Sequence, residues 1–307
     1  MKKTIIFFII IISSTHIYSQ KNTELTRLED SLISLGKIIR DGETDFIKYN
    51  ANEKFLILLE KALITENSFN YPFDSLITIA RLKSEDNKFR IFNWLLKKAD
   101  GTYEYFGFIQ AWNKKLKKHI LYPLKDNSEN IKTPETQILE PINWYGVLYY
   151  KIIYNKYRGK RTYTLLGWDG NNKQSQKKII DVISFNSKDK PVFGAAIFKY
   201  NKKIMKRIVF EYNSTVSFSL KYEKQYMLYG KKKRKMIVFN RMGPLESEMV
   251  NNKEFYFPEI NIFDAFHFKN GKWVYIKDVD ARNTSIDKNR KKQQKKIRQL
   301  QIEHSLE

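Results

Sequence analysis

The sequence predicts an α+β protein: an N-terminal helical hairpin followed by a large, mostly antiparallel β-meander curled into a barrel-like or two-sheet body. Three observations lead there. Up to residue 65, apolar side chains recur at spacings of three and four, the period of one helix face. From Ser75 onward they gather in short segments separated by turn residues, as strands do. Residues 143–172 then read as two strands around a basic turn, with Trp144, Tyr145, Tyr149, Tyr150, Tyr154, Tyr157, Tyr163 and Trp168 crowded into them.

At the start, Lys2 and Lys3 precede an unbroken apolar run, residues 5–12, and a polar stretch ending Ile17-Tyr18-Ser19-Gln20. That is the layout of a signal peptide, with cleavage expected after Ser19. The run is too short for the roughly 20 residues that cross a bilayer as a helix. The expected destination is outside the cytoplasm, in the periplasm or secreted. The chain has no cysteine, which removes disulfides, thiolate nucleophiles, cysteine metal sites and a lipid-bearing cysteine together.

The helical segment spans 20–70. Leu25, Leu28, Leu32, Leu35 and Ile39 form one stripe, Asp41-Gly42 breaks it, and Phe55, Leu56, Leu58, Leu59, Leu63 and Ile64 form another. Tyr71-Pro72 marks the boundary, because a residue before proline leaves the helical region. The β body is expected over 71–283, beginning with strands at 77–82, 89–96, 103–112 and 119–124. Asp100-Gly101 is the clearest hairpin turn among them. Residues 125–141 are polar, contain Pro134 and Pro141, and read as a connecting loop or sub-boundary.

Apolar residues occupy both faces of the 143–172 hairpin, which implies burial on both sides, with Tyr150 and Tyr154 inside. Beyond it, strands are expected at 178–185, 192–200, 207–212, 215–222, 236–241, 262–268 and 273–277. The clean alternation of Val216, Phe218, Leu220 and Tyr222 with polar residues implies one buried face and one wet face. Residues 284–307 form a basic polar tail with too little apolar surface to order strongly.

Several strings within 89–283 resemble an uncharacterised family of exported Bacteroidota proteins: YTLLGWDGNN (163–172), KKIIDVISF (177–185), KPVFGAAIF (190–198), KRIVFEYNSTVSFSLKY (206–222), KMIVFNRMGP (235–244) and GKWVYIKDVDARN (271–283). The resemblance implies export, a helical start and a β-rich body. It carries no activity, cofactor or catalytic residue.

The formal charge is +23, and loss of Lys2 and Lys3 with the signal peptide lowers it by two. Such a field favours an anionic envelope component: an acidic glycan, a lipid head group or an acidic protein. Nucleic acid is not an expected partner of an exported chain. AT-rich coding would give the same excess of Lys, Asn, Ile, Tyr and Phe without selection for binding. The densest basic cluster, Lys231, Lys232, Lys233 and Arg234, reads as a charged hairpin tip or an anion contact.

Nucleotide-binding glycine loops, the G-x-S-x-G elbow and H-E-x-x-H are all missing, so no cofactor is expected. His119, His267 and His304 lie too far apart in sequence to suggest a metal centre, which needs three or four ligands. The carboxylates that acid–base chemistry would use are Asp169, Asp181, Glu211, Asp278 and Asp280. Trp168 with Asp169 forms a candidate ligand-binding turn, although Asp-Gly is also what a tight turn requires. The expected role is non-enzymatic binding or scaffolding at the envelope. The alternative is a hydrolase of an envelope glycan, which needs two of these carboxyls within about 10 Å across an open cleft.

Overall fold

The structure, a computed structural model, describes residues 23–226 and 233–279. The expected signal peptide and basic tail, with Asp280, Lys231 and Lys232, lie outside the described residues. The fold is α+β, as expected, but no closed barrel forms among the described residues. The strands divide among three sheets instead.

Two helices come first. Helix α1 occupies 23–41 and buries Leu25, Leu28, Leu32 and Ile39. Helix α2, Asp45–Ile64, starts at Thr44, whose hydroxyl accepts the Ile47 amide at 3.3 Å. That satisfies one of the orphan donors of the first turn. Asp45 in turn accepts the Ala99 amide at 3.0 Å, and Lys48 donates to the Lys97 carbonyl at 2.9 Å, tying the start of α2 to a strand turn. Thr44→Ala is expected to lower stability by about 1 kcal/mol, read as a shift in the urea midpoint.

Strands β1 (Ala80–Lys83), β2 (Phe89–Lys97), β3 (Tyr103–Asn113) and β4 (Lys118–Lys125) make an antiparallel meander, the first sheet. The Asp100-Gly101 turn falls where expected, with Gly101 at φ +89°. The connector at 125–141 contains two single 3-10 turns, Ser128–Asn130 and Pro134–Thr136, and enters a third, Pro141–Asn143. The Asp126 carboxylate organises it by accepting the amides of Tyr105, Ser128 and Gly146. Gly146 is required there, because a Cβ would lie 2.3 Å from that carboxylate.

The second sheet opens with β5 (Leu148–Tyr157), β6 (Lys160–Asp169) and β7 (Ser175–Phe185). The short β8 (Pro191–Phe193) pairs with the far end of β7. The chain then leaves to form β9 (Phe198–Tyr200) and β10 (Lys203–Met205), and returns as β11 (Ile208–Asn213) along the rest of the same β7 edge. β12 (Leu220–Tyr226), β13 (Lys233–Pro244), β14 (Tyr256–Lys269) and β15 (Lys272–Ile276) complete a six-stranded third sheet, in the order β10-β9-β15-β14-β13-β12. β9 and β15 pair in parallel; the other pairings between named strands are antiparallel.

Two expected strands break. The segment at 192–200 divides between the second and third sheets, and Gly194 sits at the break with φ +91°. The segment at 215–222 becomes regular only from Leu220. The Asn213 side chain accepts the Thr215 amide at 2.9 Å, an Asx turn that ends β11. Val216 and Phe218 still pack inward from this loop.

Apolar clusters alternate with the sheets. The helices pack on Phe92, Trp94 and Phe108 of the first sheet. The opposite face of that sheet, through Phe89, Ile91 and Ile109, meets Tyr149, Tyr163 and Leu165 of the second. The reverse face of the second sheet, through Leu166, Ile180 and Val182, meets Ile237, Phe266 and Trp273 of the third. The 143–172 hairpin is therefore covered on both sides, by the first sheet on one and the third on the other. Tyr150 departs from the expectation. It is the extra residue of a bulge between Tyr149 and Lys151, which turns it outward to 39% exposure while its hydroxyl reaches the Leu220 carbonyl at 2.9 Å. Tyr154 is partly buried against Tyr163.

Candidate functional site

Three of the expected carboxylates are built into the second sheet. Asp169 on β6 and Glu211 on β11 each face Lys177 on β7 in the strand register, so the three lie in one row across adjacent strands. Asp169 is buried. It accepts the Tyr105 hydroxyl at 2.9 Å and the Asn171 amide at 2.7 Å, with Lys177 Nζ at 3.7 Å. Glu211 accepts the Ser175 hydroxyl at 2.6 Å and the Asn171 side-chain amide at 3.3 Å. Lys177 donates to the Asn171 side-chain oxygen at 2.7 Å. This closed network holds the turn after β6. Trp168, beside it, is half-buried and donates to Gln176 at 3.0 Å.

Burial raises the Asp169 pKa above the usual carboxylate range, and the pull of Lys177 and the hydrogen bonds only partly oppose this. A raised folded-state value means that ionisation at neutral pH costs stability, a cost that disappears as the pH falls through the folded and then the unfolded pKa. Asp169→Asn keeps the acceptor oxygen and is expected to melt above the native protein at pH 7. The difference should vanish below about pH 4. Paired thermal melts across that range check it.

Asp181 is fully buried. Arg207 Nε lies 2.8 Å from its Oδ2, and the Tyr149 hydroxyl donates to the same oxygen at 3.1 Å. Arg207 Nη1 donates to the Pro134 carbonyl at 2.5 Å. At the far end of the molecule, Asp278 pairs with Arg241, which also holds Asp264 through two nitrogens at 3.1 and 2.6 Å. Tyr275 donates to Asp264 at 2.6 Å. Of the expected basic cluster, Lys233 and Arg234 are described, both exposed at the start of β13. His119 and His267 lie on separate sheets, and no group of three metal-ligating side chains occurs among the described residues.

A larger recess lies elsewhere, on the helix side of the first sheet. A cavity of about 750 Å³ opens between the end of α2 and the β3–β4 hairpin, with Trp112, His119, Gln110, Phe69, Glu60 and Glu66 among its walls. Trp112 faces His119 across the strand pair, edge to face at 5.2 Å, and is 37% exposed. Phe69 divides this cleft from a smaller cavity of about 250 Å³ walled by Arg81, Lys83, Arg90, Tyr71 and Phe92. The Phe69 ring stacks on His119 at 3.8 Å and has Lys83 Nζ at 4.5 Å from its centroid.

Arg90 is 5% exposed and has only neutral acceptors: Gln110 Oε1 at 2.7 Å and the carbonyls of Tyr71, at 2.7 Å, and Ser68, at 2.5 Å. Burial pulls its pKa down to about 9, so it stays charged at neutral pH. Burial, then the charges of Arg90 and Lys83, hold His119 below its ordinary value.

No family model, curated protein or solved structure matches this chain.

The sequence held one unused sign of this region. Arg90 interrupts an otherwise apolar strand on the face that carries Phe92 and Trp94. The cleft itself joins residues some 50 positions apart, which local patterns do not bring together. No described helix is long and apolar enough to cross a membrane.

Proposed function

We propose that the protein is exported to the periplasm and acts there as a non-enzymatic binding protein for an anionic envelope component. The observation that carries this reading is the contrast between its carboxylates and its cleft. Asp169, Asp181 and Glu211 end in hydrogen bonds and ion pairs inside the fold, which suits structural roles. The cleft beside α2 presents an accessible tryptophan, a stacked histidine and polar walls, the mixture that orients a ligand within an otherwise apolar recess. Flat aromatic faces suit sugar rings, so an acidic glycan is favoured over a lipid head group or an acidic protein. The likeness to exported Bacteroidota proteins and the high positive charge support the location and the sign of the partner.

The test is a fluorescence titration of the mature protein with hexose, hexosamine and hexuronate oligosaccharides. Binding is expected to weaken as salt rises, because exposed charges are screened. Trp112→Ala is expected to lose at least tenfold in affinity with an unchanged melting temperature. Release of reducing ends during the incubation, lost in Asp169→Asn or Glu211→Gln, would replace this reading with the hydrolase alternative. Binding that ignores both salt and Trp112 would remove the cleft from consideration.

A further inference from the structure

We propose that the small cavity beside Phe69 is an oxyanion subsite that seats the acidic group, carboxylate or phosphate, of a sugar whose ring extends toward Trp112. This rests on the binding reading above and names the chemistry that the site selects.

Three cations converge there without an equal number of anions. Lys83 and Arg90 are direct partners across β1 and β2, and Arg81 faces Phe92 one step along the same face. No carboxylate lines this cavity. Arg81 meets Asp74 only at 3.5 Å, and that aspartate is 85% exposed. Glu60 and Glu66 belong to the walls of the larger cleft, beyond Phe69. Arg90 is locked in place by its three neutral acceptors, so its charge is fixed and uncompensated. Arg81 Nε is buried with no hydrogen-bond partner. A buried donor without an acceptor, beside a buried cation without a counterion, is costly. An incoming oxyanion would offset the uncompensated charge.

The division of labour follows from accessibility. Lys83 is exposed and can swing to meet the anion, Arg81 is anchored through Nη1 on the Phe73 carbonyl and offers the exposed part of its guanidinium, and Arg90 supplies field from below. Phe69 is the partition over which a sugar would pass to reach Trp112. Lys83 is held below its usual pKa by burial and by Arg90, a second sign that positive charge is crowded here.

The experiment titrates the mature protein with glucuronate, glucose 6-phosphate, glucose and inorganic phosphate by calorimetry, following the His119 ring signals by NMR. The acidic sugars are expected to bind and glucose to bind at least tenfold more weakly. The His119 pKa, held down by burial first and by the charges of Arg90 and Lys83 next, should rise on binding as an anion offsets those two charges. Lys83→Ala and Arg81→Gln leave the buried Arg90 intact; each should cost the acidic sugars at least fivefold, while Lys253→Ala costs nothing. Preference for glucuronate over glucose 6-phosphate identifies a carboxylate, and the reverse a phosphate ester. Glucose binding as well as glucuronate, with Trp112 required, would overturn the subsite but keep the binding cleft. Inorganic phosphate binding as tightly as either acidic sugar, unchanged by Trp112→Ala, would show an anion site that reads no sugar and overturn the proposal. No binding by any of the four would overturn it as well.

Discussion

Arg207→Met is expected to destabilise the protein by about 3–5 kcal/mol, because it leaves the fully buried Asp181 without a counter-charge. Asp181 lies on β7 beneath Tyr149, and Arg207 enters just before β11, so the pair sits where the second sheet gains its last strand. The arginine also grips the Pro134 carbonyl, which fastens the 125–141 connector to the sheet. Losing it therefore exposes two defects, an orphaned carboxylate and a loosened connector. Asp181→Leu alone should cost a comparable amount by stranding the guanidinium. The double variant should be milder than either, since exchanging a buried ion pair for apolar groups of similar volume is often neutral. Urea unfolding of the four proteins gives the coupling energy. Additive losses would mean that the two groups do not act as a pair. The chain continues beyond them: Trp144 Nε1 donates to the Tyr149 hydroxyl at 3.2 Å, and that hydroxyl donates to Asp181.

Trp273→Ala should produce a second loss of about 3–5 kcal/mol through a different route, the cavity left by a large buried side chain. Trp273 on β15 is fully buried between the second and third sheets, against Phe268 and Tyr222. Its indole nitrogen donates to the Thr164 hydroxyl at 2.8 Å, a polar contact across an otherwise apolar layer. Trp273→Phe keeps most of the volume but leaves Thr164 unpaired, and is expected to fall between the native protein and the alanine variant. Trp112→Ala, on the open cleft, should stay within about 0.5 kcal/mol of native. A loss at Trp112 as large as at Trp273 would mean that the cleft residue is structural.

The elements most legible in the sequence were those with a local cause. The α1 stripe, the Asp41-Gly42 break and the Asp100-Gly101 hairpin depend on neighbours within a turn or two. The two-faced apolar pattern of 143–172 announced burial on both sides, and the structure supplies it. What covers each face was not legible, because sheet membership is set by distant pairings: β9 joins β15, and β7 shares one edge between β8 and β11. The alternation at Val216 and Phe218 misled for a related reason. Those residues face the core from a loop, so their burial imitates a strand without its hydrogen bonds. At the sites, Asp169 was recognisable as a turn residue, but its alignment with Lys177 and Glu211 needs the register of three strands. The uncompensated Arg90 needs the fold itself, since the segment after α2, through Ser68, Phe69, Tyr71 and Phe73, closes over it only once the chain is packed.

The parallel pairing of β9 with β15 sets a timetable for folding. Phe198 and Val274 lie about 75 residues apart in the chain, yet they belong to adjoining strands. During synthesis, the β9–β10 hairpin must wait for nearly all of the remaining strands before its neighbour arrives. Contacts of such separation form slowly, because the intervening loop must close first. The first sheet carries no such delay, as each of its strands pairs with the next. Pulse-labelling hydrogen exchange should therefore find β2 and β3 protected early and Phe198–Tyr200 protected last. A chain cut after Asn270 should keep the early protection and never acquire the late one.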